Sequence, residues 1–336
     1  MKVLIYSDIH LSSSSSIQRG RGKELSDRLN SIIQIRKEIE SLADKYDVRL
    51  IVDAGDILDS DTITSEELFC ISEYLKIGTR EEIHLMGNHG LSHSSINAGV
   101  IMSSSPNHKF INKVTSIGDF LFIPYGQMTD DIEFDKKFTI SHEVVTTSDF
   151  FKGNKLDMLS SKDSVIFNGH IHSPRKMSSN IYNVGSSSGC NFGDGHILGK
   201  SASYPSILIL DTETNDVKRV VLKTSNLFFK TTREEVLKFD FNKLKSHNVF
   251  INCEIKDSKE SEFVKEYVSN FSSVKGIVFS LVLRDSEVSA PTLTNDDLEL
   301  LPPDEYVNSV IKDILIDKYG ESNYSDYIDI MKEELS

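Results

Sequence analysis

The chain has 336 residues, room for about two domains with an ample core, and its 38% hydrophobic and 26% charged content is that of a soluble protein. No apolar run approaches the roughly 20 residues that cross a bilayer, and Met1-Lys2 leads straight into a strand without the order of a signal peptide, so no membrane association is expected. The net charge of −14 argues against a surface that coats nucleic acid generally, because phosphate contact needs Lys and Arg.

In chain order, the first apolar run is Val3-Leu4-Ile5-Tyr6, a strand that ends in Asp8-Ile9-His10. Five serines follow, Ser12–Ser16, then Arg19-Gly20-Arg21-Gly22, a stretch that cannot pack a core and reads as a loop over the strand end. A helix is expected over about Lys23–Lys45, where Leu25, Leu29, Ile32, Ile33, Ile39 and Leu42 recur near a 3.6-residue period. Strand Leu50–Val52 leads into Gly55-Asp56, and a helix over Ser65–Lys76 opens with Glu66-Glu67 in its first turn. Ile83–Met86 runs into Gly87-Asn88-His89. Further strands are expected at Leu121–Tyr125, at Phe138–Ser141 before His142, and at Ser164–Asn168 before Gly169-His170-Ile171-His172. Ile181–Val184 and Ile207–Leu210 follow. Between them lies Gly185–Lys200, a second loop with five glycines. Either loop would touch substrate or be inert; the residues alone leave both open.

After Asp211 the character changes. Val217–Lys223 and Leu227–Thr231 look like strands, and Val249–Ile255, Glu260–Asn270 and Gly276–Leu283 suggest a small β-α-β cap. A linker with Pro302-Pro303 precedes two amphipathic helices, Tyr306–Tyr319 and Tyr324–Glu334. From Thr292 onward 12 acidic residues face 3 lysines, so most of the negative charge sits in this tail. The helical stripes would pack on their own domain or dock on another protein. The expected division is 1–211, an α/β domain; 212–290, a small cap; and 291–336, a linker and a helical docking tail.

Five polar clusters at strand ends, in series, carry the chemistry, since an α/β sheet builds its site there. Asp8, His10, Asp56 and His172 would give one divalent ion two carboxylates and two imidazoles. Asn88, His142 and His170 would hold a second, with Asp56 shared. Mixed oxygen and nitrogen donors favour manganese or a similar first-row ion. His89, next to Asn88, would protonate a leaving oxygen. Taken singly the signals differ in weight: Asp8-x-His10 and Gly55-Asp56 also suit ordinary turns, whereas paired histidines at strand spacing rarely serve packing. Arg19, Arg21 and Arg175, with Lys23 and Lys176, would form a local positive lip that binds substrate. His84 is expected within a strand, His93 and His108 in polar loops, and His196 and His247 on the surface. Cys70, Cys190 and Cys253, odd in number and far apart, fit a reducing, cytoplasmic compartment better than disulfides.

The order D-x-H, G-D-x-x-D, G-N-H, H, G-H-x-H resembles the calcineurin-like metallophosphoesterase superfamily. Here it reads Asp8–His10, Gly55–Asp59, Gly87–His89, His142 and Gly169–His172. The resemblance implies a four-layer α/β/β/α sandwich with a small α+β capping domain and a C-terminal helical tail. It also implies metal ligation by Asp8, His10, Asp56, Asn88, His142, His170 and His172, with His89 as proton donor. Within the superfamily the chain looks like the short SbcD-type DNA repair nuclease subunits, through Asp8-Ile9-His10-Leu11 at the start and Asn183-Val184-Gly185-Ser186 through Phe192-Gly193-Asp194. That likeness implies two Mn²⁺ ions, DNA as substrate for duplex exonuclease and single-strand endonuclease action, and an SbcC-type coiled-coil ATPase as partner. Such subunits often pair into homodimers, for which an apolar helix near Ser94–Met102 would serve unless it belongs to the core. One departure stands out: Gly90 occupies the place of the Asp or Glu that orients the donor histidine. Two other readings stay open, a phosphoesterase for a small ester or nucleotide and a metal-binding scaffold without turnover.

Overall fold

The protein is described from a computed structural model over residues 1–14, 24–89, 98–129, 131–145 and 156–281. The stretch with Arg19 and Arg21, Gly90 and His93, and the whole tail from 282 lie outside the described residues.

The first sheet is built mainly from parallel strands β1 (Lys2–Tyr6), β2 (Leu50–Asp53), β3 (Glu81–Leu85) and β4 (His108–Ile111). Helices α1 (Asp27–Tyr46) and α2 (Ser65–Lys76) make the first two crossovers. The second sheet takes β5 (Thr115–Ile117), β6 (Phe120–Ile123), β7 (Phe138–Ser141), β8 (Val165–Asn168), β9 (Arg175–Lys176) and β10 (Ile181–Asn183), with helix α3 (Leu156–Ser160) before β8. The chain then returns to the first sheet. There β11 (Ser206–Asp211) lies antiparallel beside β1, and β12 (Val217–Val221) beside β11. The first sheet therefore reaches Val221, ten residues past the expected boundary at 211.

The sandwich follows from strand alternation, because successive side chains point to opposite faces. On β1, Val3 and Ile5 face the second sheet and meet Phe122, Phe138, Ile140 and Phe167. Leu4 and Tyr6 face the helices and join Leu29, Ile32 and Ile39 of α1 with Ile71 and Tyr74 of α2. Both faces of the central strands are covered, hence their continuous apolar runs. Local signals fix the helix starts: the Ser26 side chain accepts from Leu29 N, and Thr64 and Glu67 form a reciprocal capping box. The outer face of the second sheet is covered differently from expectation. Among the described residues only the five-residue α3 lies there, with Leu159, Met128 and Val145 closing over Leu121, Ile123 and Ile166. The architecture is the expected α/β sandwich, with one short helix, α3, on this outer face among the described residues.

The cap is a three-stranded parallel sheet, β13 (Asn226–Thr232), β14 (Asn248–Ile255) and β15 (Val274–Leu281), crossed over by α4 (Arg233–Lys238) and α5 (Ser258–Ser269). Val249, Ile251 and Cys253 pack against Val264 and Val268. Phe228 stacks on Phe250 at 4.8 Å, and Phe192 meets Phe228 edge-on at 5.5 Å. This aromatic file ties the cap to the Gly185–Lys200 segment. That segment is no loose loop, since Ser186, Ser187 and Ser188 are buried, and neither His196 nor His247 lies on the surface. His108, expected in a loop, opens β4 and is buried. Met102, in the segment considered for dimer contacts, lies in the core against the helices. No described helix is long and apolar enough to cross a membrane.

Candidate metal centre

The five clusters meet at the ends of parallel strands of both sheets. The loops after β1 and β2 are zipped together, with Asp8 N donating to Gly55 O at 3.0 Å and His10 N to Asp56 O at 2.9 Å. Asp8, His10, Asp56 and His170 all take left-handed backbone conformations, φ +54°, +49°, +56° and +76°. Such φ values are uncommon outside glycine and concentrate at functional sites. Gly87 is required for close approach: a Cβ there would overlap Asp56 Oδ1.

The structure brings together all seven expected ligand residues. At one pole, His10 Nε2 and His172 Nε2 face each other at 3.1 Å, each 3.8 Å from Asp8 Oδ1. At the other, His142 Nε2 lies 3.1 Å from both Asp56 Oδ2 and Asn88 Oδ1, and His170 Nδ1 lies 2.7 Å from Asn88 Oδ1. Asp56 Oδ2 stands between the poles, 4.0 Å from His10 Nε2.

The unused ring nitrogens decide whether this set suits cations. His10 Nδ1–H donates to Asp59 Oδ1 at 2.9 Å, His172 Nδ1–H to Asp194 Oδ1 at 2.8 Å, and His142 Nδ1–H to Ala54 O at 2.8 Å. In each neutral ring the proton is thereby placed on Nδ1, and the Nε2 lone pair points inward at other acceptors. Lone pairs converging on carboxylates and an amide oxygen are satisfied by a cation at each pole, and the outer partners orient the rings as metal sites require. Divalent metal ions fit this donor set.

Without a cation, the same contacts shift the ionisable groups of the site. Burial opposes ionisation of Asp8, but its His10 contact and the charges of His142 and His172 prevail and hold it well below the usual carboxylate range. Burial likewise opposes Asp56, and His142 lowers it. Burial works against protonation of His172, yet Asp194 and Asp8 outweigh it and raise the imidazole to about 9. His170 is lowered, by burial first and by the neighbouring His142 charge second.

His89 sits at the rim, half-exposed, with its backbone N donating to Asp56 Oδ1 at 2.9 Å. Its Nδ1 lies 3.0 Å from the Asp59 carbonyl and 3.3 Å from the Asp59 carboxylate, which raises its pKa against the effect of burial. Asp59 thus supplies the orienting carboxylate that Gly90 cannot. Asp59 and Asp194 stand inside sequence motifs that assign neither a role. Arg28 stands in none: its buried guanidinium binds the carbonyls of Gly189, Ile9 and His10, joining the first loop to the Gly185–Lys200 segment. The signal was a charge on the apolar side of α1. Arg175 is exposed on β9, with no contact to the clustered ligands among the described residues.

With fold and geometry in place, the family follows. Residues 1–180 match the calcineurin-like phosphoesterase family, and the chain belongs to it. It is therefore a metallophosphoesterase, a class that works with divalent metals. No curated protein matches the chain significantly. Among solved structures it is similar to a novel archaeal phosphodiesterase, at 19% identity over 66% of this chain and 100% of that one, with a TM-score of 0.36. It is also similar to the phosphoesterase Yfce from E. coli, at 13% identity over 66% and 99%, with a TM-score of 0.33. A third is the nuclease MPE of Pseudomonas putida, at 12% identity over 65% and 87%, with a TM-score of 0.32.

Proposed function

We propose that the chain is the nuclease subunit of a DNA-processing complex, hydrolysing phosphodiesters with two Mn²⁺ ions, as an exonuclease on duplex ends and an endonuclease on single strands. The observation that carries this reading is the position of His89. The proton donor stands half-exposed at the rim beside Asp56, where the scissile bond of a polymer can reach it. The two ions, when bound, supply Lewis acidity to a water nucleophile and to the phosphate oxygens. The chain does the rest. Asp59 holds the His89 ring and favours its protonated form, so that His89 delivers a proton to the leaving 3′ or 5′ oxygen. Asp194 and Asp59 fix the orientation of His172 and His10.

The partner in this reading is an SbcC-type coiled-coil ATPase, which would supply the DNA affinity that a net charge of −14 denies this chain. Linear duplex DNA with Mn²⁺ should release nucleotides, more so with the ATPase; no cleavage in either case overturns the reading. The same charge favours a second reading, a small phosphate ester or nucleotide as substrate, and faster turnover of such an ester than of DNA would decide for it. A scaffold without turnover is disfavoured by the Asp59–His89 pair, because it orients an imidazole at the rim that neither metal pole uses.

A further inference from the structure

Cys190 lies inside the Asn183–Asp194 stretch without an expected role, yet its Sγ and one ring nitrogen each of His10 and His172 lie within 4.8 Å of one another. The two Nδ1 positions already serve Asp59 and Asp194, so the nitrogens free to face the sulfur are the inward Nε2 pair. Two shared anchors hold this trio. Asp194 accepts from His172 Nδ1 through one oxygen and from Cys190 N at 2.5 Å through the other. Arg28 Nη2 binds the His10 carbonyl at 3.3 Å and reaches Cys190 Sγ at 3.6 Å. The Ser188 hydroxyl lies 3.3 Å from the same sulfur. A side chain placed this firmly, with its backbone and its sulfur both fixed by groups that also set the two histidines, is more than filler.

We propose that Cys190 is a sulfur ligand at the His10–His172 pole, making that pole selective for thiophilic ions such as Zn²⁺ or Co²⁺ while the Asn88 pole keeps oxygen and nitrogen donors. This rests on the two-ion reading of the site, adds a donor to it, and departs from the proposed pair of Mn²⁺ ions in the ion that this pole prefers. Metal–sulfur and metal–nitrogen bonds of about 2.3 and 2.0–2.1 Å allow donors to one ion to stand at most about 4.4 Å apart, and the three atoms here lie within 4.8 Å of one another. On coordination the S–H bond breaks, its proton passes to solvent and the sulfur pair forms the bond to the ion; nothing is oxidised or reduced. Thiolate donors raise the preference for soft ions over Mn²⁺ and Mg²⁺.

The test is cobalt titration of the full chain, wild type against Cys190→Ser, with Cys70→Ser as control because Cys70 is buried among apolar residues far along the chain. Wild type and Cys70→Ser should develop a sulfur-to-cobalt charge-transfer band in the near ultraviolet. Cys190→Ser should bind cobalt without that band, and its Zn²⁺ affinity should fall at least on the order of tenfold while Mn²⁺ affinity changes little. Bound cobalt with visible ligand-field bands but no charge transfer in wild type overturns the sulfur ligand and leaves the metal centre standing. A band that persists in Cys190→Ser also overturns it. No cobalt binding at all overturns both. Should the variant not fold, zinc-edge X-ray absorption of wild type decides alone: one sulfur neighbour supports the proposal, and none refutes it.

Discussion

Asp59 Oδ1 lies 2.9 Å from His10 Nδ1 and 3.3 Å from His89 Nδ1, so one carboxylate orients both imidazoles, that of the proposed ligand His10 and that of the proposed proton donor His89. Its own pKa is driven well below the usual range by these two contacts. Replacing His89 with Ala should lower phosphodiester hydrolysis by roughly 10²–10⁴ while metal content stays unchanged. Asp59→Asn should lower both activity and metal affinity, because it loosens His10 as well. Metal analysis beside kinetics separates the two variants.

Asp194 buttresses His172 from behind. Asp194→Asn should cost about 10–100-fold in affinity at that pole, read by calorimetric titration with a divalent ion. Unchanged affinity would show that His172 is positioned by its own backbone.

Gly87 leaves no room for a methyl group beside Asp56 Oδ1. Gly87→Ala should destabilise the fold by about 1–3 kcal/mol, as overpacking does, and displace the shared carboxylate. Urea unfolding and metal stoichiometry should both change.

Arg36 and Glu82 form a buried ion pair at 2.6 Å beneath α1, and Tyr6 Oη donates to the same carboxylate at 2.6 Å. Arg36→Met leaves Glu82 charged and unpaired in the core, a loss of about 3–5 kcal/mol. Thermal and urea unfolding would measure it.

His196 sets a pH dependence of stability. Burial holds its imidazole at about 4, below the ordinary 6.5, despite the opposing Asp194 charge, and its Nδ1 accepts from Phe228 N at 3.0 Å. Below the ordinary value the unfolded chain binds a proton that the folded chain refuses. The stabilisation is thus complete above pH 6.5 and is lost as pH falls toward 4. At pH 5 it amounts to about 2 kcal/mol lost. His196→Phe should be less stable at pH 7 but flatter between pH 7 and 5 in urea midpoints.

Much of this was legible in the sequence because strand-end chemistry is local. Ser65–Lys76 announced itself through its first-turn acids, and the clusters after β1, β3 and β8 stood directly behind apolar runs. The missing parts are those set at long range. Strands β4, β5 and β9 have four, three and two residues and are strands only through their neighbours. His196 and His247 read as surface residues because nothing nearby shows that the cap folds over them. Arg28 and Asp194 owe their roles to carbonyls and rings 18 or more residues away, contacts that no local pattern encodes.

The pairing of Lys2 with Asp211 has a consequence for biogenesis. The first strand is made at once but waits for one of its two neighbours until the ribosome has delivered over two hundred residues. Asp8 and His172 likewise meet only late. Such long-range closure is slow. A nascent fragment that ends before His172 therefore lacks the full set of clustered side chains, and one that ends before Asp211 leaves the first strand short of a neighbour.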